Sequence, residues 1–312
     1  RSQHEHRSHW HKHISVGIDM STITSLISSG GGGGSNVNDV RFITNSANLI
    51  TTESDEVWLK GGVTETDVAT YPDATSSFAY SGTSFSASSQ TNYPYDIAWD
   101  GTHFWVLSGY QPESVFKYTA AGVYTGTSFS VAAQAPSPTG ITWDGTHFWV
   151  LSNGNDSVFK YTAAGVYTGT SFSVASQDTN PRGITWDGTH FWVVGAVSDS
   201  VYKYNASGVY QNVSFSVAAQ EPSPVGITWD GTYFYVIGAG NNSFMKYSAD
   251  GTFIANVISV YAQETSVQGI VAVGTDLWMI GLNNDTAYKY QPQIGCGARL
   301  EGTGNNLYTR IK

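Results

Sequence analysis

The chain has 312 residues, a formal net charge of −10 and only 14 Lys and Arg residues. Because these few basic residues form no stripe, the composition argues against a nucleic-acid partner. No stretch has the length and apolar character of a membrane-spanning helix, so no membrane partner is expected. The single cysteine, Cys296, excludes an intrachain disulfide.

Histidines crowd the first 19 residues, and they allow two interpretations. One is a tag, a linker or upstream read-through ahead of Met20, which would carry no function. The other is metal binding, because alternate residues of an extended chain lie on the same side. In that case a symmetric trimer could share one ion between the candidate metal ligands, which are His4, His6, His11 and His13.

The next segment predicts a tether. Gly30–Gly34 is a run of five glycines, which behaves as a flexible linker. We therefore assign residues 1–35 to an N-terminal arm, which precedes the folded part of the chain.

One phrase then recurs along the chain. Trp143–Val150 reads Trp-Asp-Gly-Thr-His-Phe-Trp-Val, and it returns at Trp99–Val106, at Trp186–Val193 and, with tyrosines, at Trp229–Val236. Its second aromatic residue recurs every 43 or 44 residues. Counting onward reaches Trp278, and counting back 47 residues reaches Trp58, which suggests six copies.

Each copy predicts four short β-strands. Asp144-Gly145 between apolar runs is a strong hairpin signal, and the runs themselves are rich in β-branched and aromatic residues. Four strands in about 43 residues are typical of a β-propeller blade. We therefore predict an all-β fold, a six-bladed β-propeller over residues 36–292.

The two ends of the chain are expected to complete this ring and extend from it. The fourth strand reads Thr-Ser-Phe-Ser in three copies, and its apolar residue occurs only five times, at Phe85, Phe129, Phe172, Phe215 and Ile258, so this strand is missing after the last copy. We predict that Val40–Thr44 completes the last blade, with Phe42 in the role of Phe129. Residues 293–312 form a short C-terminal tail, which is expected to pack beneath the ring or to join a partner's sheet.

Repeated polar residues look at first like a site. His103, His147 and His190 share one position beside the Asp-Gly turn, and Tyr233 takes that position in the fourth copy. A packing role explains all four residues better than metal ligation, which needs a convergent ligand set. No catalytic motif is present, so no cofactor and no enzymatic activity are expected.

The variable loops are the better candidates for binding. In a propeller, the connections between strands two and three and between successive blades share one face, and here these connections differ most between copies. Tyrosines offer flat apolar faces with polar tips, and Asn, Asp and Arg offer partners for hydroxyl groups. The candidate ligand-binding residues are Tyr93, Tyr95, Tyr110, Asn155, Asp178 and Arg182.

The Trp-Asp-Gly-Thr-x-Phe-Trp-Val blades resemble propeller repeats of virion proteins from tailed bacteriophages, particularly tail and tail-fibre proteins. The start Met20-Ser-Thr-Ile and the ending Tyr308–Lys312 are similar to phage structural proteins too. The resemblance implies a structural virion protein that is folded in the host cytoplasm and acts in host attachment or protein–protein assembly. Other virion proteins would bind its arm and tail, a cell-surface glycan is a possible ligand, and a homo-oligomer is expected. A free lectin-like surface propeller is the alternative, and a propeller hydrolase or lyase comes third.

Overall fold

A computed structural model describes residues 78–292 in full, and outside that range it gives only the backbone of short strands. The chain divides into two compact units. Ser77–Gln293 forms one, and Arg1–Ser76 together with Ile294–Lys312 forms the other. Within the described residues, no helix is long and apolar enough to cross a membrane.

All regular elements that the structure describes are β-strands. The first five strands are β1 (Ser25–Ile27), β2 (Arg41–Ile43), β3 (Leu49–Thr51), β4 (Glu56–Leu59) and β5 (Val68–Ala69). The long strand β6 (Phe78–Ser86) follows. Blade 1 comprises β7 (Pro94–Trp99), β8 (His103–Ser108), β9 (Ser114–Thr119) and β10 (Tyr124–Ser130). Blade 2 comprises β11 (Pro138–Trp143), β12 (His147–Ser152), β13 (Ser157–Thr162) and β14 (Tyr167–Ser173).

The second half of the ring repeats this order. Blade 3 comprises β15 (Pro181–Trp186), β16 (His190–Gly195), β17 (Ser200–Asn205) and β18 (Tyr210–Ser216). Blade 4 comprises β19 (Pro224–Trp229), β20 (Phe234–Gly238), β21 (Ser243–Tyr247) and β22 (Phe253–Ser259). The last strands are β23 (Val267–Val273), β24 (Asp276–Gly281), β25 (Thr286–Pro292), β26 (Arg299–Glu301) and β27 (Tyr308–Arg310).

Five blades form the ring. Blades 1 to 4 are antiparallel four-stranded sheets in which the strands follow chain order. Blade 5 takes β23, β24 and β25 from the end of the ring and its outermost strand, β6, from the beginning. In the β6–β25 ladder, Phe85 lies opposite Ala287 and Phe78 lies opposite Pro292.

The prediction of six blades is therefore wrong. The strand that contains Trp58, β4, pairs with β3 and β27 in the other unit and belongs to no blade. The predicted closing strand is also wrong, because β2 pairs with β1 and β5. The closing strand is β6, and Phe85 rather than Phe42 takes the role of Phe129. Phe85 takes this role because β6 lies directly before blade 1 in the chain, just as β10, the outer strand of blade 1, lies directly before blade 2.

Aromatic rings fill the wedges between the blades. At the first interface the Trp105 ring of blade 1 lies 4.6 Å from the Phe148 ring of blade 2. The same contact recurs between Trp149 and Phe191 at 4.6 Å, between Trp192 and Phe234 at 4.7 Å and, across the closing seam, between Trp278 and Phe104 at 4.7 Å. Each such pair removes large apolar faces from water and adds a specific ring–ring contact.

The outer strand of each blade extends this packing. Phe129 lies 5.8 Å from Phe148 and 5.7 Å from Tyr161, both in the following blade. The Tyr161 hydroxyl donates to the side-chain oxygen of Gln134 in the preceding connection. Phe85 repeats these contacts at the seam, at 5.4 Å from Phe104 and 5.2 Å from Tyr118. Phe85 on the closing strand therefore makes the same apolar contacts with the following blade as Phe129 does.

Phe85→Ala should destabilise the ring as strongly as Phe129→Ala. Phe85 is 8% exposed and contacts both ends of the ring, and large-to-small changes of this kind cost about 3–5 kcal/mol. Thr83→Ala on the exposed edge of β6 should change the free energy of unfolding by less than about 0.5 kcal/mol. Urea unfolding of the three variants would measure this. An unaltered midpoint for Phe85→Ala would contradict closure by β6.

Candidate functional site

Two sets of connections lie together on one face of the ring, as predicted. The connection between strands two and three of each blade bonds to the connection that enters the same blade. Gly109 N–H donates to the Tyr93 carbonyl at 3.0 Å, and Ala196 N–H donates to the Asn180 carbonyl at 3.0 Å. We call this surface the loop face. The opposite surface, which carries the Asp-Gly turns, is the hairpin face.

Buried carboxylates hold the loop face together in three blades. Asp178 is 5% exposed, and its carboxylate accepts hydrogen bonds from Asn180 N at 2.7 Å and Ser198 N at 2.9 Å. Glu221 and Glu264 occupy the same position in the next two blades and accept backbone N–H groups from both connections in the same way. The predicted ligand residue Asp178 therefore bonds to its own loops.

Blade 1 replaces this carboxylate with a neutral hydroxyl pair. Thr91 and Ser108 are buried, and their hydroxyl oxygens lie 2.8 Å apart. Tyr93 N–H donates to the Thr91 hydroxyl at 2.9 Å, and the Ser108 hydroxyl donates to the Tyr110 carbonyl at 2.7 Å. The Thr91 hydroxyl is consequently left to donate to Ser108. This short network fixes the backbone beneath two tyrosines.

The two tyrosine rings stand exposed above that network. Tyr93 is 44% exposed and Tyr110 is 59% exposed, and their ring centroids lie 5.2 Å apart in an edge-to-face arrangement. Tyr95, on β7, is half-buried beside Gly109. The positions that match Tyr93 in the other copies are Ser137, Asn180, Ser223 and Ser266. An exposed aromatic pair therefore belongs to blade 1 alone among the five blades.

The remaining predicted ligand residues lie elsewhere on the loop face. Asn155, in blade 2, is exposed and donates its amide to the Gln134 carbonyl at 3.1 Å. Arg182, on β15 of blade 3, is partly buried, and its Nε has no hydrogen-bond partner within the described residues. The contacts thus pair Tyr93 with Tyr110 and place Tyr95 beside Gly109 in the same blade. The other predicted residues lie in blades 2 and 3.

The hairpin face carries the repeated Asp and His. Asp144 accepts hydrogen bonds from Thr146 N at 2.8 Å, His147 N at 2.7 Å and the Trp149 indole N–H at 2.7 Å. Sequence reasoning found the turn and missed the indole bond, although the five-residue spacing from Asp to Trp recurs in three copies. The carboxylate thus anchors the tryptophan that fills the wedge between blades.

Electrostatics on this face support the same structural role. In blade 1, burial raises the pKa of Asp100, but bonds from Trp105, Thr102 and His103 outweigh burial and lower it below the ordinary value. The Lys160 ammonium lies 5.1 Å from the Trp149 ring, so this repeated lysine covers a neighbouring aromatic ring. Across residues 78–292, no group of three or more His, Cys, Asp and Glu could hold a metal ion. The histidines proposed as metal ligands, His4, His6, His11 and His13, lie outside the described residues.

Comparisons with known proteins support the fold. No protein-family model matches the chain, and no curated sequence matches it. A glutaminyl cyclase from Myxococcus xanthus superimposes with a TM-score of 0.56 at 10% sequence identity, over 69% of this chain and 95% of that chain. A virginiamycin B lyase from Staphylococcus aureus gives a TM-score of 0.43 at 18% identity, over 82% of this chain and 85% of that chain. At 10% identity the superposition on the glutaminyl cyclase supports the fold and shows nothing about activity.

Asp144→Ala should destabilise the ring, whereas His147→Ala should have little effect. The first change leaves the indole N–H of Trp149, a residue only 3% exposed, without its acceptor, which costs about 1–3 kcal/mol. The second removes a half-buried ring at the surface and should cost under about 0.5 kcal/mol. Chemical unfolding with tryptophan fluorescence would measure both. Equal losses would contradict the anchoring role of Asp144.

Proposed function

We propose that this chain is a structural virion protein of a tailed bacteriophage, in the tail or tail fibre, and that its five-bladed ring is an attachment module. The ring binds a cell-surface glycan through the loop face of blade 1. The observation that carries the binding proposal is the exposed pair Tyr93 and Tyr110, which no other blade repeats. The virion assignment draws on the sequence resemblance and on the arm and tail, which suit a tethered module acting outside the cell.

The tyrosine pair has the properties of a prepared binding surface. Both rings are largely exposed. Tyrosine combines an apolar face with a hydroxyl tip, a combination suited to sugars, which expose both C–H and O–H groups. The hydrogen bonds of Thr91 and Ser108 hold the backbone beneath both rings. A ligand would therefore bind without first ordering the two loops, which lowers the entropic cost of association.

A free lectin-like surface propeller is the alternative, and the same tyrosine pair supports it. The two functions share the ligand class and differ in where the chain is found. A virion protein stays bound to other virion proteins through the arm at residues 1–35 and the tail at residues 293–312. A free lectin has no such partners. In both cases we propose that the ring binds its ligand without catalysing a reaction.

Tyr110→Ala and Tyr93→Ala should each weaken glycan binding at least about tenfold, which corresponds to about 1.4 kcal/mol. Both rings are exposed, so the melting temperature should stay close to that of the wild type. Val197→Ala is a matched control, because Val197 is 66% exposed at the corresponding position of blade 3. A glycan array would identify the sugar, and titration calorimetry would compare the variants.

Two outcomes would count against the proposal. Glycan binding that both tyrosine variants retain would place the site elsewhere, and the lack of any bound glycan for the wild type would exclude a glycan as the ligand. The virion assignment is tested separately, by labelling purified particles with antibody against the ring and viewing them by electron microscopy. Particles that carry no label on the tail would leave the lectin alternative.

A further inference from the structure

An acidic residue interrupts a glycine position that the other innermost strands repeat. Asp96, on β7, stands where the other four blades have glycine, at positions fixed by the strand registers. These glycines are Gly140, Gly183, Gly226 and Gly269. A single acidic side chain among four glycines does not follow from blade packing, which every copy achieves. The presence of Asp96 therefore needs an explanation other than blade packing.

The Asp96 carboxyl group joins three blades. It accepts hydrogen bonds from Ile97 N at 2.8 Å in its own blade and from Ile141 N at 2.8 Å in blade 2. It also accepts a backbone hydrogen bond from Ile270 in blade 5. Asp96 is 4% exposed. The side chain thus contacts the innermost strands on both sides of β7 and lies across the seam where the ring closes.

The donors are a repeated feature of the fold. The innermost strand of a blade has no further strand on its axial side, so the N–H groups on that edge lack a ladder partner. Ile184 and Ile227 hold the same register as Ile97, Ile141 and Ile270. The five inner edges therefore direct equivalent donors towards the axis of the ring.

Space at this level admits very few side chains. A Cβ built on Gly183 would lie 2.9 Å from Gly226 Cα, and one built on Gly226 would lie 2.9 Å from the Gln268 carbonyl oxygen. Contacts this short force the neighbouring strand to move. Two carboxyl groups on one axis would also repel each other when ionised. These constraints account for one aspartate and four glycines.

No positive charge balances the carboxyl group in the two neighbouring strands, because β11 and β23 contain no titratable residue. Burial raises the pKa of Asp96 well above its ordinary value, against the lowering effect of the three backbone donors. The N–H groups are therefore its main partners. A cavity of about 110 Å³ begins at the next residue and is lined by three residues from each innermost strand, such as Ile97, Ala98 and Trp99.

We propose that the inner edges of the five blades form one axial binding site for a single carboxyl group, which Asp96 fills from within the chain. The ligand class is a small monocarboxylate, which would enter this site once Asp96 is shortened. The site is independent of the glycan surface proposed on the loop face. It also explains why only one blade carries the acid.

Rescue by formate tests the site directly. Asp96→Ala keeps the Cβ and removes the carboxyl group, so the full-length variant should melt below the wild type in sodium chloride at mildly acidic pH. Sodium formate at equal ionic strength should raise the melting temperature and the refolding yield of the variant and leave the wild type unchanged. Equal effects of formate on both proteins, or no effect on the variant, would overturn the proposal.

Moving the acid to another blade gives a second test, which stands even if Asp96→Ala fails to fold. Gly140 is the best host, because a Cβ there would lie 3.1 Å from Ile184 Cγ2 and 3.2 Å from Ile184 N. The double variant Asp96→Gly/Gly140→Asp should melt at a higher temperature than Asp96→Gly. Gly140→Asp alone should melt below the wild type, since two carboxyl groups would compete for one site. If Gly140→Asp lowers stability equally in both backgrounds, the axial site is excluded.

Discussion

The ring depends on one packing contact, the tryptophan of one second strand against the phenylalanine of the next, which occurs at four of the five interfaces between blades. Trp105 and Phe148 show it in blades 1 and 2. The contact sets the spacing of neighbouring sheets, and other groups maintain it. Asp100 bonds the indole N–H of Trp105, and the Lys117 ammonium lies 5.0 Å from the same ring. The repeated Asp of the phrase and the repeated Lys of the third strand therefore stabilise an apolar contact, which explains why they recur without forming a site.

Closure follows from the same contact. A linear stack of blades would leave one tryptophan face and one phenylalanine face in water at its ends. Here Trp278 of the last blade contacts Phe104 of the first, and Phe85 contacts both. The chain supplies Phe85 from the N-terminal side of the ring, so the seam cannot open without breaking the β6–β25 ladder. The hydrophobic contact and the strand exchange thus stabilise one another at the seam.

The sequence predicts the blades well and their number poorly. Four strands, the Asp-Gly hairpins and the shared loop face all follow from patterns of three or four residues, because local turn chemistry and strand alternation are encoded locally. The number of blades is not encoded by local sequence patterns. Trp58 matched the tryptophan spacing only within a few residues and lacked the Asp-Gly turn. The apolar residue of the fourth strand occurred five times, which is the number of blades observed. The fourth-strand pattern therefore predicts the number of blades better than the spacing of a single tryptophan does.

Asp96 shows why the site was harder to predict than the fold. Its signal was visible, since an alignment of the copies by strand register places one acid among four glycines. The contacts of Asp96 could not be predicted from the sequence. The backbone donors of Ile141 and Ile270 are distant in sequence and come together only when the ring closes. The exposed pair Tyr93 and Tyr110 is similar, since the two residues come from different connections.

Blade 1 therefore departs from the repeat at two levels, on the axis and on the loop face. The two departures lie close together in sequence, because Tyr93 precedes Asp96 by three residues. Tyr93 is fixed by bonds to Thr91 and Gly109, and Asp96 is fixed by backbone donors of three blades. The segment between them is consequently held at both ends. The rigid support beneath Tyr93 would lower the entropic cost of ordering a ligand there, which is the reason for proposing the ligand site on blade 1.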